Sequence, residues 1–195
     1  MTDAPRQGDL FELTSQASEA GDSPELEITA PQLRRWQQRV HAFQAPLFHP
    51  SPPDALQGAL FGATPDPLAD CDPLQLKALP LSFWRWPQGP HHGAALYLVM
   101  DRPADLEQPL LLYIGETIAA DRRWKGAHDC KAYLAAYQEA CMDCGLRCST
   151  SIRFWSDVPR ATRARRQLEQ TLIQRWQPPF NKETRERWAT PFQAA

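Results

Sequence analysis

No apolar run in the chain approaches the roughly 18 residues that a membrane span needs, which excludes a helical spanning protein. The opening stretch, MTDAPRQGDLFELTSQ, has no basic segment followed by an apolar one, so no secretory signal is expected. The five cysteines are odd in number, and without such a signal a disulfide framework is not expected. Together these absences point to a reducing, cytoplasmic compartment. Glycine is scarce, with nine residues against nineteen prolines. Lysine is missing altogether from residues 1–75, where four Arg face eleven Asp and Glu for a net charge of −7. Phosphate contact needs Lys or Arg, so this acidic front is expected to repel nucleic acid rather than bind it. Residues 76–195 carry seventeen Lys and Arg against twelve acids, a net +5, and polyanion binding is to be sought there. At 43% hydrophobic and 23% charged, the 195 residues otherwise have ordinary globular usage.

Texture along the chain divides it near residue 75. Residues 1–28 are rich in Asp, Glu, Ser, Gln and Pro and are expected to be disordered. A single amphipathic helix is expected over about 30–43. Thr29 is placed to cap it, Pro31 suits its first turn, and Leu33, Trp36, Val40 and Phe43 recur on one face. Residues 45–75 are again proline-rich and read as linker. Beyond them, LSFWRWP (81–87) alternates like a short strand or its approach. AALYLVMD (94–101) and PLLLYIGE (109–116) are apolar β-type runs joined by a short polar turn, the pattern of an antiparallel hairpin. Helices are expected over 118–127 and 130–142, a third strand over 151–158, and the longest helix over 160–176, stopped by Pro178 and Pro179. The expected fold is a small α+β domain, 76–195, with a three-stranded antiparallel sheet flanked by helices.

Several polar residues are set within this apolar pattern. Tyr97 and Tyr113 sit centrally in the two paired strands, Arg123 lies ten residues beyond Tyr113, and Glu169 falls within the long helix with Asn181 just past its end. Phosphodiester hydrolysis wants such a set: a carboxylate for a hard cation, a guanidinium for the phosphate, and a base for water. Each residue alone also has a plain structural role. A strand Tyr packs, Arg123 adds to the surface charge of Arg122 and Lys125, Glu169 pairs with Arg165 or Arg166 a turn earlier, and Asn181 ends a helix.

In order and interval, these residues resemble the GIY-YIG nuclease superfamily. Ala95-Leu96-Tyr97 is similar to the first signature, and Tyr113-Ile114-Gly115 matches the second letter for letter. Arg123-Trp124 stands where the family has its helical Arg, and LEQTLIQRWQPPFNKE (168–183) resembles the Glu-to-Asn stretch of the UvrC-type nuclease domain. The resemblance covers residues 92–184. Ala95 departs from the family's Gly, and Ala127 stands where some members carry a His, with His128 following. The resemblance implies single-metal hydrolysis of DNA, in repair or recombination. Glu169 would hold Mg²⁺ or Mn²⁺, Tyr97 would activate water, Arg123 would neutralise the phosphate and Tyr113 would position water or phosphate. Asn181 would brace the site, with His128 and Lys125 as supporting candidates. A catalytically degenerate nucleic-acid-binding module and a clamp-tethered adaptor are the other two readings.

Cys141, Cys144 and Cys148, with His128 and Cys130 upstream, contain metal-ligating residue types, but their 3- and 4-residue steps are those of a helix face, and core packing is expected. The front carries a repeat, Gln-x-x-Leu-Phe, at Gln7–Phe11, Gln44–Phe48 and Gln57–Phe61. It resembles the peptide by which bacterial polymerases and repair proteins dock on the sliding clamp. That resemblance implies docking through Gln7, Leu10 and Phe11, and through Gln57, Leu60 and Phe61.

Overall fold

The computed structural model describes residues 28–48, 71–85, 92–120 and 129–192. Within them the fold is α+β, as expected. Helix α1 (Ala30–Phe48) is followed by β1 (Leu79–Pro80), a short 3₁₀ turn (Phe83–Arg85), the hairpin β2 (Ala95–Asp101) and β3 (Leu110–Thr117), and α2 (Asp129–Asp143). Strand β4 (Thr150–Trp155), α3 (Thr162–Trp176) and the single-turn α4 (Arg185–Trp188) complete it. The helix expected over 118–127 falls almost wholly outside the described residues, as do the Gln7–Phe11 and Gln57–Phe61 repeats. No described helix is long and apolar enough to cross a membrane.

The sheet has four antiparallel strands in the order β1-β4-β2-β3, not the expected three. The additional strand is only two residues long, pairing Leu79 with Ile152 and Pro80 with Ser151, too short for any alternation to show. Its proline is tolerated because β1 is an edge. The 81–87 stretch, which alternates in sequence, turns instead through Phe83–Arg85, and Phe83 is buried against Phe154. Helix α1 runs five residues beyond its expected end and carries Pro46 in its last turn. Tertiary contacts in that turn oppose the proline's disruption: Gln44 and Phe48 are both buried, and Phe48 stacks on Trp176 with ring centroids 4.7 Å apart. At its start, the Thr29 backbone N–H donates to Gln32 Oε1 at 2.9 Å, half of a capping box.

All seven residues of β2 are buried, because the sheet is covered on both faces. Ala95, Tyr97 and Val99 face a core shared with Leu33, Trp36 and Val40 of α1 and with Leu134 and Tyr137 of α2. Leu96, Leu98 and Met100 face the other way, onto Leu172, Ile173 and Trp176 of α3. Helix α1 thus packs into the same core as the sheet. Three groups tie the first layer together. Gln37 Nε2 donates to the Tyr137 hydroxyl at 2.7 Å, and that hydroxyl donates to buried Asp101 at 2.6 Å. Burial pushes the Asp101 carboxyl above its ordinary range. The thiols of Cys130 and Cys141 are buried in this core, with Cys144 and Cys148 packed half-buried against it. Among the described residues no group of three or more His, Cys, Asp or Glu is placed to hold a metal ion.

Strand β3 is the second edge, and it contains a bulge. Val99 pairs with Tyr113 but Met100 pairs with Leu111, so Leu112 is an extra residue. The bulge lets consecutive Leu112 and Tyr113 both pack toward the α1–α2 core, whereas Leu111 and Ile114 pack toward α3. The outer edge of β3 has no partner strand among the described residues, and several of its backbone groups are taken up individually. Gln44 Oε1 accepts from the Leu111 N–H at 2.8 Å, while Gln44 Nε2 donates to the carbonyls of Leu111 and Trp176 at 2.9 and 3.1 Å. The Phe180 N–H donates to the Leu112 carbonyl at 3.0 Å. Asn181 Oδ1 accepts from the Ile114 N–H at 2.9 Å, and its Nδ2 donates to the Ile114 carbonyl at 2.8 Å.

Replacing Gln44 with Leu keeps the volume and strips three buried backbone groups of their partner. Each group left unsatisfied costs about 1–3 kcal/mol. Gln44→Leu is therefore expected to lower stability by about 3 kcal/mol or more in urea unfolding, and a loss below about 0.5 kcal/mol would show that the clamp contributes nothing.

Candidate active site

Four of the expected site residues meet around the outer end of β3. Tyr97, from the central strand, is fully buried, and its ring lies across Gly115, its cross-strand partner. A Cβ at position 115 would fall within van der Waals overlap of Tyr97 Cζ and the phenolic oxygen, so glycine is required there for close approach. The small residue of the Tyr-Ile-Gly tripeptide thus makes room for the tyrosine of the neighbouring strand. Tyr113 lies next to it, with ring centroids 5.9 Å apart and planes tilted by 31°. The two hydroxyls are hydrogen-bonded. Burial is the main reason the Tyr113 phenol is held well above its ordinary range, and the negative charge that Tyr97, Cys130 and Glu169 can carry adds to it. Tyr113 is therefore a neutral hydrogen-bonding group at physiological pH.

Glu169 reaches this place from α3. It shares the inward face of the helix with Arg165, Leu172, Ile173 and Trp176, a stripe that recurs at steps of three and four. Its carboxylate lies beside the Glu116 backbone N–H, which exerts a lowering influence on its pKa. Burial raises its pKa from 4.5 to about 7, and repulsion from Glu116 and Glu183 adds to this against smaller opposing effects of the Glu116 N–H and Arg166. The arginines a turn earlier do not form the expected surface pair with Glu169. Fully buried Arg165 donates from Nε to Glu116 Oε2 at 2.8 Å, and Arg166 donates from Nε to Glu116 Oε1 at 3.2 Å. Arg165 also donates to the carbonyls of Pro159 and Arg160, which anchors it. Glu116 is thus paired with two guanidinium groups, while Glu169 is a partly buried carboxylate with no ion pair among the described residues.

Tyr113, Glu169 and Asn181 line one pocket of about 170 Å³, which Phe180, Lys182 and Arg185 complete. Asn181 is 3% exposed, and both ends of its amide are engaged with Ile114, so it braces β3. Arg123, Lys125 and His128 lie outside the described residues. Glu116 and Arg185 were not among the residues singled out from the sequence. Glu116 directly follows the Tyr-Ile-Gly tripeptide, and Arg165 stands in the apolar stripe of α3; a charge of each sign at otherwise inward positions is the signal that could have found the pair. A larger open groove of about 570 Å³ runs between Trp155, Val158 and Leu168, with Asp157 at its side. The smaller pocket gathers the titratable groups and carries the chemical argument.

The donor set fits a hard divalent cation. Mg²⁺ commonly takes one or two protein carboxylates and fills its remaining positions with water and substrate phosphate. A carboxylate raised by burial and lining a pocket is what such a cation would stabilise.

The raised Glu169 pKa has a measurable consequence. Its protonated form is favoured by folding, so its contribution to stability is complete below about pH 4.5 and is lost as pH rises through about 7. Glu169→Gln removes that loss. The variant should gain melting temperature over the parent at pH 8, and the gain should shrink steadily toward pH 5. A difference in Tm that stays constant from pH 5 to pH 8 would contradict the raised pKa.

Compared with protein-family models, curated proteins and solved structures, the chain has no significant match.

Proposed function

We propose that this chain is a divalent-metal-dependent endonuclease of the GIY-YIG type, hydrolysing DNA phosphodiester bonds in repair or recombination. The observation that carries the reading is Glu169, a half-buried carboxylate with a raised pKa that lines one pocket with Tyr113 and Asn181, while Tyr113 is hydrogen-bonded to Tyr97. The ordered motif from Ala95 to Asn181 supports the same reading. A divalent cation on Glu169 would supply Lewis-acid stabilisation of the leaving oxygen. The chain's own groups do the rest. Tyr113, neutral and fixed, donates or accepts a hydrogen bond at the phosphate or the attacking water. Tyr97 accepts the proton of the in-line water while its own phenolic proton passes to a neighbouring base. Arg123 offsets charge on the phosphate. Glu116, held by Arg165 and Arg166, keeps its negative charge beside Glu169 and helps to hold that carboxyl above its ordinary range.

One observation favours a binding module without catalysis: Tyr97 is fully buried, and a water-activating phenol must reach water. A cleavage assay separates the two readings. Flap, junction, nicked duplex and single-stranded DNA are incubated with the full chain in Mg²⁺, in Mn²⁺ and in EDTA. Metal-dependent cutting of at least one substrate is expected. Glu169→Gln should abolish it while leaving DNA binding nearly intact, and Arg123→Ala should slow it by about 10²-fold or more. Binding without cutting under every metal condition would establish the module instead.

The Gln-x-x-Leu-Phe repeat supports a bacterial sliding clamp as partner. A peptide spanning Arg6–Leu13 should bind the clamp weakly, and changing Leu10 and Phe11 to Ala should remove about 2–4 kcal/mol of binding free energy. Absence of clamp binding by both the peptide and the full chain would reject the docking.

A further inference from the structure

The pocket beside Glu169 contains a second group whose bonding is incomplete. Arg185 opens α4, four residues past Asn181, and its backbone N–H donates to the Asn181 carbonyl at 2.9 Å. Asn181 is itself bonded at both ends of its amide to Ile114, so the main chain of Arg185 is tied to β3. The side chain is fixed from the other direction as well. Its guanidinium carbon lies 3.9 Å from the centroid of the Tyr133 ring on α2. A guanidinium stacked in this way keeps its N–H groups in the plane, pointing away from the ring. Arg185 Nε is shielded from solvent and has no hydrogen-bond partner among the described residues. Arg185 lines the pocket, so the terminal N–H groups of the same guanidinium are the donors that an acceptor entering from outside can reach.

The surroundings define that acceptor. Of the two carboxylates of the pocket, Glu183 accepts from Gln170 Nε2 at 3.2 Å and Glu169 lies beside the Glu116 backbone N–H. Lys182, exposed at the rim of the same pocket, adds a second positive charge. A planar fork of donors beside a point charge matches the oxygens of a phosphate group, which accept two parallel N–H bonds.

We infer that Arg185, with Lys182 at the rim, forms a subsite for the non-bridging oxygens of a phosphate group in the pocket that Glu169 lines. That the phosphate belongs to a DNA strand rests on the function proposed above; the anion site itself does not.

The test uses the full chain without divalent metal. Binding of a fluorescent flap DNA is titrated across a salt series for the parent, Arg185→Gln and Arg185→Lys, and the melting temperature of each is read with and without inorganic pyrophosphate. Arg185→Gln should bind the flap about tenfold more weakly, and the slope of log K against log salt should fall by about 0.9, the value for one phosphate contact. Arg185→Lys keeps the charge and the stacking but loses the fork. It should hold the slope and lose only about threefold in affinity, and it serves as the folded comparison if the Gln variant is unstable. Pyrophosphate should raise the melting temperature of the parent and not that of Arg185→Gln. Equal salt slopes in parent and Arg185→Gln, or equal pyrophosphate shifts, would overturn the subsite. A parent that binds no DNA but is protected by pyrophosphate only when Arg185 is present would refute the nuclease reading and leave the subsite standing.

Discussion

The outer edge of β3 is the constraint around which the rest of the molecule is arranged. An edge strand presents unpaired N–H and carbonyl groups, and buried ones cannot be left to water. Among the described residues no fifth strand pairs with them. Gln44 from α1 takes Leu111, the Phe180 N–H takes Leu112, Asn181 takes Ile114, and the Glu169 carboxylate from α3 lies beside the Glu116 N–H. Three separate segments of chain must therefore converge on one strand. The candidate site lies where two of those segments, α3 and the chain following it, meet the strand end. Glu169 and Asn181 are in one pocket because both cover the same edge. Covering a strand with side-chain amides also differs from pairing it with another strand in one useful respect. Side chains leave gaps between them, and the pocket beside Tyr113 is such a gap.

The electrostatics follow from the same arrangement. Two carboxylates, Glu116 and Glu169, are brought near each other by α3 crossing the end of β3. Two arginines on that helix are within reach, and both bond to Glu116. Had they been divided between the carboxylates, both acids would be ordinary surface ion pairs. Burial, with repulsion from Glu116 beside it, raises the other, Glu169, to about 7, against a smaller lowering by Arg166. An acid near neutrality is poised to exchange its proton for a cation, and burial of Arg165 makes the division rigid, since a fully buried guanidinium with four acceptors has nowhere else to turn.

Much of the fold was legible in the sequence, for reasons that can be named. β2 and β3 are apolar runs bounded by turn residues, α3 repeats its apolar residues at helical steps, and these elements, with β4 and α2, form close to their expected bounds. β1 offers two residues and no period. The continuation of α1 past Pro46 depends on Gln44 meeting Leu111 and Phe48 meeting Trp176, contacts that do not exist until the chain has folded. Of the site, Tyr97, Tyr113, Glu169 and Asn181 were marked out by their order and intervals, and the structure brings them to one place. Arg123, Lys125 and His128 lie outside the described residues. Glu116 and Arg185 escaped notice because what distinguishes them is a partner gained or a partner missing. A sequence displays neither.

The two amide clamps are equally remote from the strand they hold: Gln44 precedes Leu111 by 67 residues, and Asn181 follows Ile114 by 67. During synthesis β3 leaves the ribosome with its N-terminal cover already made and its C-terminal cover still to be translated. At a rate of about 5–20 residues per second the edge stays open for several seconds at least, long enough for pairing with a neighbouring nascent chain. The two prolines before Phe180 have no N–H to offer such an intruder once they arrive. Pro178 and Pro179 therefore bring a segment to the edge of the sheet that can cover it without extending it, and the same dipeptide that ends α3 gives the finished molecule an edge on which further strands find fewer donors to continue from.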